Sequence, residues 1–171
     1  MKVKGYSSGD EMNLHVPQSI QTAVELLYLA AVPKQIISPS TNSPIIAPSQ
    51  DNLLGLYKIT DNNVFFTQAE AMNLLFDVKA FDGNLPEPEI NENGVVRWSG
   101  KQIISIILPE ITTKIKDFII EDGIIKKGQI GKDESKILLH IIHSDYGYKE
   151  AERYLNDLQK IISRYMIRSG F

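Results

Sequence analysis

Cysteine is absent from the 171 residues, which excludes a disulfide framework, a thiolate zinc site and a cysteine nucleophile. Such a composition suits a cytosolic or nuclear protein. Long apolar runs are missing too, and nothing approaches the roughly 18 uninterrupted apolar residues that a membrane span requires. Met1-Lys2-Val3-Lys4-Gly5-Tyr6 has charges but no apolar stretch behind them, so no secretory signal is expected. Neither sign of charge dominates: 18 Lys and Arg stand against 21 Asp and Glu, a net charge of -3. No global basic field therefore advertises nucleic acid, and any contact with nucleotides would be local or supplied by a larger assembly. Missing as well are a Walker-type loop, a Gly-x-Gly-x-x-Gly after a strand and a Gly-x-Ser-x-Gly elbow. What is present, 43% hydrophobic and 23% charged residues, is the composition of one ordinary soluble folded domain.

Hydrophobic spacing and capping residues divide the chain. Ser19 caps a predicted helix in which Ala23, Leu26, Leu27 and Ala30 recur at helical spacing, with Pro33 as its stop. Thr67-Gln68-Ala69-Glu70 reads as a capping box before Ala71, Leu74, Leu75 and Val78, and Ser99-Gly100-Lys101-Gln102 repeats the pattern before Ile103, Ile106 and Ile107. Between Ile111 and Gln129 the signal changes to strand. Phe118-Ile119-Ile120 and Ile124-Ile125 flank Glu121-Asp122-Gly123, a hairpin turn sequence. A short helix through Ile137, Leu138, Ile141 and Ile142 closes near Gly147. The longest helix then runs from about Tyr148 to Ser169, with Gly170 at its C-terminal cap. Ser38 to Ser49, with Pro39, Pro44 and Pro48, is expected to form a structured arm, and Phe81 to Gly94 an exposed loop. The predicted class is α+β with helix predominating.

Read residue by residue, the catalytic inventory is thin. His140 and His143 sit three apart on a predicted helix and offer two metal ligands at most; no third stands at a telling spacing, so the preferred reading is one packed and the other partly solvated. The acidic pairs Glu87/Glu89 and Glu121/Asp122 fall in loops or turns and read as solvated surface. On these grounds the chain is a soluble α+β domain with no assigned chemistry.

Gly9-Asp10-Glu11-Met12-Asn13-Leu14-His15-Val16-Pro17-Gln18-Ser19 adds more. It resembles the sequence following the catalytic loop in the largest subunit of multisubunit DNA-directed RNA polymerases. That family's motif is Asn-Ala-Asp-Phe-Asp-Gly-Asp, and Gly9-Asp10 looks like its last two residues. Further blocks resemble the family in order: Val32 to Pro39; Pro44-Ile45-Ile46 with Gln50-Asp51, Leu54-Gly55 and Thr60; Trp98 to Gln102; Asp122-Gly123, Gly128, Lys132 and Leu139-His140; and Tyr146-Gly147 through Leu158-Gln159 to Gly170-Phe171. The resemblance covers residues 9–171 and implies the pore region of that subunit, its third conserved domain, lining the secondary channel. The Gly-Asp-Glu-Met-Asn wording is closest to eukaryotic, archaeal and large DNA virus polymerases, whereas Pro48-Ser49-Gln50-Asp51 leans towards bacteria. The bias to Ile, Lys and Asn suggests an AT-rich genome and a viral source.

The resemblance implies a role for three residues. Asp10 matches a ligand of the catalytic Mg2+, Gln50 a residue facing the nucleotide end of the channel, and Lys132 a channel lysine whose ammonium attracts nucleotide triphosphate. Plainer readings stand beside these: a polar turn residue, a hydrogen-bonding anchor of the Pro-rich arm, and a solvated lysine after a hairpin. The departure lies at the start. Tyr6 and Ser8 occupy the positions of the family's other two aspartates, and Lys4 that of its asparagine. Residues 1–8 therefore read as a non-matching start, either an added one or the end of a split gene. One carboxylate holds Mg2+ poorly, so the isolated chain is expected to be inactive and to bind no Mg2+ tightly. The implied activity is that of the assembled enzyme: attack of an RNA 3′ hydroxyl on the α-phosphate of a nucleotide, releasing pyrophosphate. Implied partners are other polymerase subunits, especially the second-largest, with DNA template, RNA and nucleotide triphosphates met only in the assembly, and no membrane. The implied location is intracellular, in nucleus or cytoplasm, or in a viral factory or virion if the source is viral. The alternative is a non-catalytic scaffold or partner-binding module derived from that subunit.

Overall fold

The computed structural model describes residues 11, 13–90 and 96–170. The non-matching start at 1–8, with Tyr6 and Ser8, and the Asn93-Gly94 end of the predicted loop lie outside the described residues. The helices are α1 (Ile20–Tyr28), α2 (Asp51–Ile59), α3 (Gln68–Leu75), α4 (Gly100–Ser105), α5 (Lys132–Tyr146) and α6 (Tyr148–Ser169). The strands are β1 (Ile37–Ser38), β2 (Ser43–Pro44), β3 (Phe65–Phe66), β4 (Glu89–Ile90), β5 (Val96–Ser99), β6 (Thr113–Ile115), β7 (Phe118–Glu121) and β8 (Ile124–Lys127). They pair only antiparallel, in a β1–β2 hairpin and two three-stranded sheets ordered β3-β5-β4 and β6-β7-β8. The class is α+β with helix predominating, and no helix is long and apolar enough to cross a membrane.

The long helix α6 is the spine. Ala151, Tyr154, Leu158, Ile161, Ile162 and Tyr165 recur at helical spacing and are all buried. Helices α2, α3 and α5 pack against that face, as does a 3₁₀ turn at Val32–Gln35. Gly55 on α2 makes the closest approach, since a Cβ there would stand 2.5 Å from Ile162 Cγ2. Asp157, fully buried on the same helix, accepts the backbone N–H groups of Lys79 and Ala80 at 3.2 Å each and lies 3.8 Å from Lys160 Nζ. A buried carboxylate is tolerated when it is paired and hydrogen-bonded in this way, and here it fixes the segment after α3.

The hairpin turn forms where the Asp-Gly pair predicts it. Asp122 and Gly123 both take positive φ, 48° and 75°, as a tight turn joining β7 to β8 demands. Both capping boxes close: Thr67 with Glu70 before α3, and Ser99 with Gln102 before α4. The helix closed at Gly147 is longer than its apolar spacing suggests, beginning at Lys132. Helix α1 stops at Tyr28 rather than at Pro33, which instead sits in the first turn of the 3₁₀ segment. The Pro-rich arm is the β1–β2 hairpin, and the exposed loop ends in β4.

Two consequences are measurable. A Cβ on Gly100 would lie 1.9 Å from the carbonyl oxygen of Ile59, a backbone atom that no rotamer change moves away. Gly100→Ala should therefore cost about 2–3 kcal/mol in urea unfolding, the upper range for overpacking. The Glu70 carboxyl is held below its usual range by the Thr67 backbone N–H and then by Arg168, 2.6 Å away. A lowered carboxyl pKa gives stability that is present above the unfolded pKa, near 4.5, and fades as pH falls through the folded value. Glu70→Gln should flatten the acid limb of the melting-temperature profile below that pH.

Candidate functional site

The motif residues at the centre of the chain prove to be architectural. Trp98 donates its indole N–H to the Pro86 carbonyl at 2.9 Å. The Gln102 amide donates to the Glu87 carbonyl at 2.8 Å while its oxygen accepts from the Ser99 backbone N–H. Lys101 binds the Asn62 side chain, and the Gly100 N–H reaches the Val64 carbonyl. Thr60, fully buried, donates to Leu56 O at 2.8 Å and accepts from the Ile130 N–H at 3.1 Å, joining α2 to the approach of α5. These residues hold the two sheets to the helices and leave the surrounding polar surface for function.

Asp10 lies outside the described residues, so the structure places neither it nor its surroundings. Among the described residues, no group of three or more His, Asp and Glu side chains converges as a metal site. His140 and His143 are half-buried on α5.

Gln50 closes the Pro-rich arm and is the exposed N-cap residue of α2. Its side chain makes no capping bond, yet its carbonyl accepts from Leu53 and Leu54 at 3.0 Å each. Its backbone holds φ 49° and ψ -124°, a conformation that a non-glycine residue adopts only under constraint. Pinning the arm therefore falls to the backbone, and the amide side chain stays exposed. An apolar-floored cleft of about 370 Å³ opens beside it, between the arm and α6, lined by Ile36, Ile46, Asn52, Glu152, Asn156 and Ile162 among others.

Lys132 is the first residue of α5 and is exposed. A cation there opposes the positive end of the helix dipole, which Asp133 and Glu134 on the same turn favour. Among the described residues Lys132 makes no ion pair; Asp133 instead faces Lys116 at 3.9 Å. Helix α5 packs against β2, so the elements carrying Lys132 and the arm ending at Gln50 are neighbours, although no hydrogen bond or ion pair joins the two residues.

Two further exposed cations, Lys126 and Lys127 on β8, were passed over by the sequence reading. Between Ile119 and Ile120 the β7–β8 register shifts, so that Ile120 pairs with Ile125 and Ile119 with Lys127. Lys126 is the extra residue of this bulge, and both Lys126 and Lys127 are exposed where strict alternation would bury one. Lys126 lines a second cleft, of about 360 Å³, with Asp61, Glu89 and Lys101. The available signal was Lys126-Lys127-Gly128, because a glycine beside a strand end marks a bulge or a close approach. Gly128 shows both, with φ 92° and no room for a Cβ against the Phe118 backbone.

Both exposed residues are tied to a backbone cost, so stability reports on them. Gln50→Gly should raise the unfolding free energy by about 1 kcal/mol by releasing the strained φ, whereas Gln50→Ala should not. Lys132→Glu should add roughly 0.3–1 kcal/mol through the helix dipole. Chemical denaturation of the three variants checks both.

Residues 35–171 match the family described as RNA polymerase Rpb1, domain 3. Relatives include "DNA-directed RNA polymerase subunit 1" of Acanthamoeba polyphaga mimivirus, 35% identical over 95% of this chain and 11% of the relative. "DNA-directed RNA polymerase II subunit RPB1-B" and "RPB1-A" of Trypanosoma brucei brucei are each 34% identical over 95% of this chain and 10% of their own length. The chain thus spans about a tenth of the length of these relatives. With the family match extending over most of its residues, the chain belongs to the third domain of the RNA polymerase largest subunit.

Proposed function

We infer that this chain serves a DNA-directed RNA polymerase by lining the secondary channel through which nucleotides reach the catalytic centre. The observation that carries this reading is the similarity to largest subunits across 95% of the chain. The exposed Gln50 beside the arm, and the cations Lys132, Lys126 and Lys127 around the start of α5, fit such a wall. Each is exposed, and among the described residues none of these side chains makes a hydrogen bond or ion pair. Ammonium groups along a channel raise the local concentration of nucleotide triphosphate without forming the rigid bidentate grip of arginine.

Magnesium does not fit the donors of this chain alone. Asp10 is one carboxylate, and the matching positions carry Tyr6 and Ser8, a phenol and a hydroxyl that are poor partners for a hard dication. Asp10 would serve as one ligand among others in an assembled polymerase that performs templated RNA synthesis with its further subunits, DNA and RNA. The same departure favours a second reading for the chain as it stands, in which it is a scaffold or partner-binding module retaining the domain without the chemistry.

The 171-residue chain by itself should extend no primer–template with magnesium and nucleotides, and templated product above an empty-vector preparation would overturn this. Tagged and expressed with the polymerase of its source, it should be recovered with the other subunits; recovery alone would sink the polymerase reading. In that polymerase Lys132→Glu should raise the apparent KM for nucleotide roughly tenfold at low salt, with less effect at high salt and little at saturation. An unchanged KM at low salt, or a fall in kcat alone, would remove Lys132 from the channel wall. A polymerase that is recovered but elongates equally well without the chain would favour the scaffold.

A further inference from the structure

The cleft of about 360 Å³ beside the second capping box is lined by two carboxylates, Asp61 and Glu89, and two ammonium groups, Lys101 and Lys126. Among the described residues none of the four forms an ion pair, with each other or elsewhere. Opposite charges that share a cleft and stay apart leave space for a ligand carrying both signs.

The charged groups are held rather than loose. Asp61 accepts the Asn63 N–H at 2.9 Å on one oxygen and the Gln129 amide at 2.7 Å on the other. Glu89 accepts the hydroxyl of Ser99 at 3.2 Å, and Ser99 is itself fixed as the N-cap of α4. Carboxylates that bind a metal are characteristically oriented by such hydrogen bonds. Lys101 is steered by the side chain of Asn62, the neighbour of Asp61. Lys126 is the extra residue of the β8 bulge, a device that re-aims a side chain, and the Ile125 N–H before it is tied to the Ser105 hydroxyl at 3.0 Å.

The charge count selects the ligand. Two carboxylates balance a dication, and two ammonium groups balance an anion of charge two or more; an amino-acid zwitterion would satisfy only half of each pair. Lysine is a point-charge binder of phosphate. Magnesium keeps several of its waters and takes one or two carboxylates together with phosphate oxygens, so it requires no cage of three protein carboxylates. The volume is that of a small-molecule site. No aromatic side chain lines the cleft, so nothing in it stacks a base and recognition falls on the phosphates.

We propose that this cleft binds magnesium polyphosphate, with the hydrated ion on the side of Asp61 and Glu89 and the phosphate oxygens at Lys101 and Lys126. Inorganic pyrophosphate and the triphosphate of a nucleotide present the same chemistry. The test titrates the 171-residue chain with pyrophosphate, with and without excess magnesium, while backbone amide shifts are followed. Saturable shifts are expected at Asp61, Ser99 to Gln102 and Ile124 to Lys126, with affinity at least about tenfold tighter when magnesium is present. Magnesium alone should saturate nothing there. Lys126→Gln should weaken binding about tenfold in both conditions. Glu89→Gln, which keeps an acceptor for Ser99, should remove the gain from magnesium. Lys127→Gln, one residue along β8 and outside the cleft, should change neither; an equal loss there would reduce the effect to diffuse surface charge and overturn the proposal. Absence of binding, saturation by magnesium alone or indifference to magnesium would each overturn it too. Adenosine triphosphate with magnesium should displace pyrophosphate from the same amides, and adenosine should not. Binding of the nucleotide without binding of pyrophosphate would place recognition on the nucleoside and sink the proposal. Because the chain alone is titrated, such a failure would leave the polymerase reading intact.

Discussion

Residue 55 has no side chain, and the packing of α2 on α6 depends on it. With a Cβ at that position 2.5 Å from Ile162 and 2.9 Å from Met166, the two helices would be forced apart. Their close contact places Leu56 and Ile59 in the core and sets the direction in which α2 leaves the Pro-rich arm. The C-terminal end of α2 then meets Gly100, whose own missing side chain admits the Ile59 carbonyl. Two glycines thus carry the α6 spine through α2 to α4, and from there to the β6–β8 sheet, where the Ser105 hydroxyl accepts the Ile125 N–H. Interiors packed at this density transmit displacement rather than absorb it.

Polar groups lock the other side of the spine. Lys160 donates to the Asp77 carbonyl at 2.6 Å, and Arg164 to Leu74 at 3.2 Å, so cations from α6 satisfy acceptors at and beyond the C-terminal end of α3. Asp157 takes the opposite part and satisfies the donors of Lys79 and Ala80. Because these cations already serve backbone carbonyls and Asp77, the polar cleft of about 520 Å³ between them is better understood as a joint than as an anion site. Among the described residues the Lys132, Lys126 and Lys127 ammonium groups carry no such internal obligation.

Local signals were legible wherever one interaction dominates. The capping boxes at Thr67 and Ser99, the Asp122-Gly123 turn and the stripe of α6 each follow from a few neighbouring residues, and each formed where the spacing placed it. Two-residue strands were illegible because their pairing is set by partners far along the chain, as when Phe65 and Phe66 meet Ser99 and Trp98. Helix α5 outran its predicted start because its first turn is charged and the apolar period begins only at Ile137 and Leu138. The bulge at Lys126 left no periodic trace, since one inserted residue breaks the alternation that a strand is read by. At the site, Gln50 and Lys132 could be named only through likeness to a family, and their strained or dipole-opposed settings emerged only from the backbone.

The same division explains why α1, with an apolar stripe of its own, has no buried residue. Periodicity reports that a face seeks cover, not where the cover comes from. In α6 the partner elements lie within the 171 residues, and the stripe is fully enclosed. In α1 the stripe is equally continuous, but its neighbours along the chain supply only a cap and two tethering hydrogen bonds. Burial within the chain thus marks the part of the fold that is self-sufficient, and the unburied periodicity of α1 marks a face that the described residues leave uncovered.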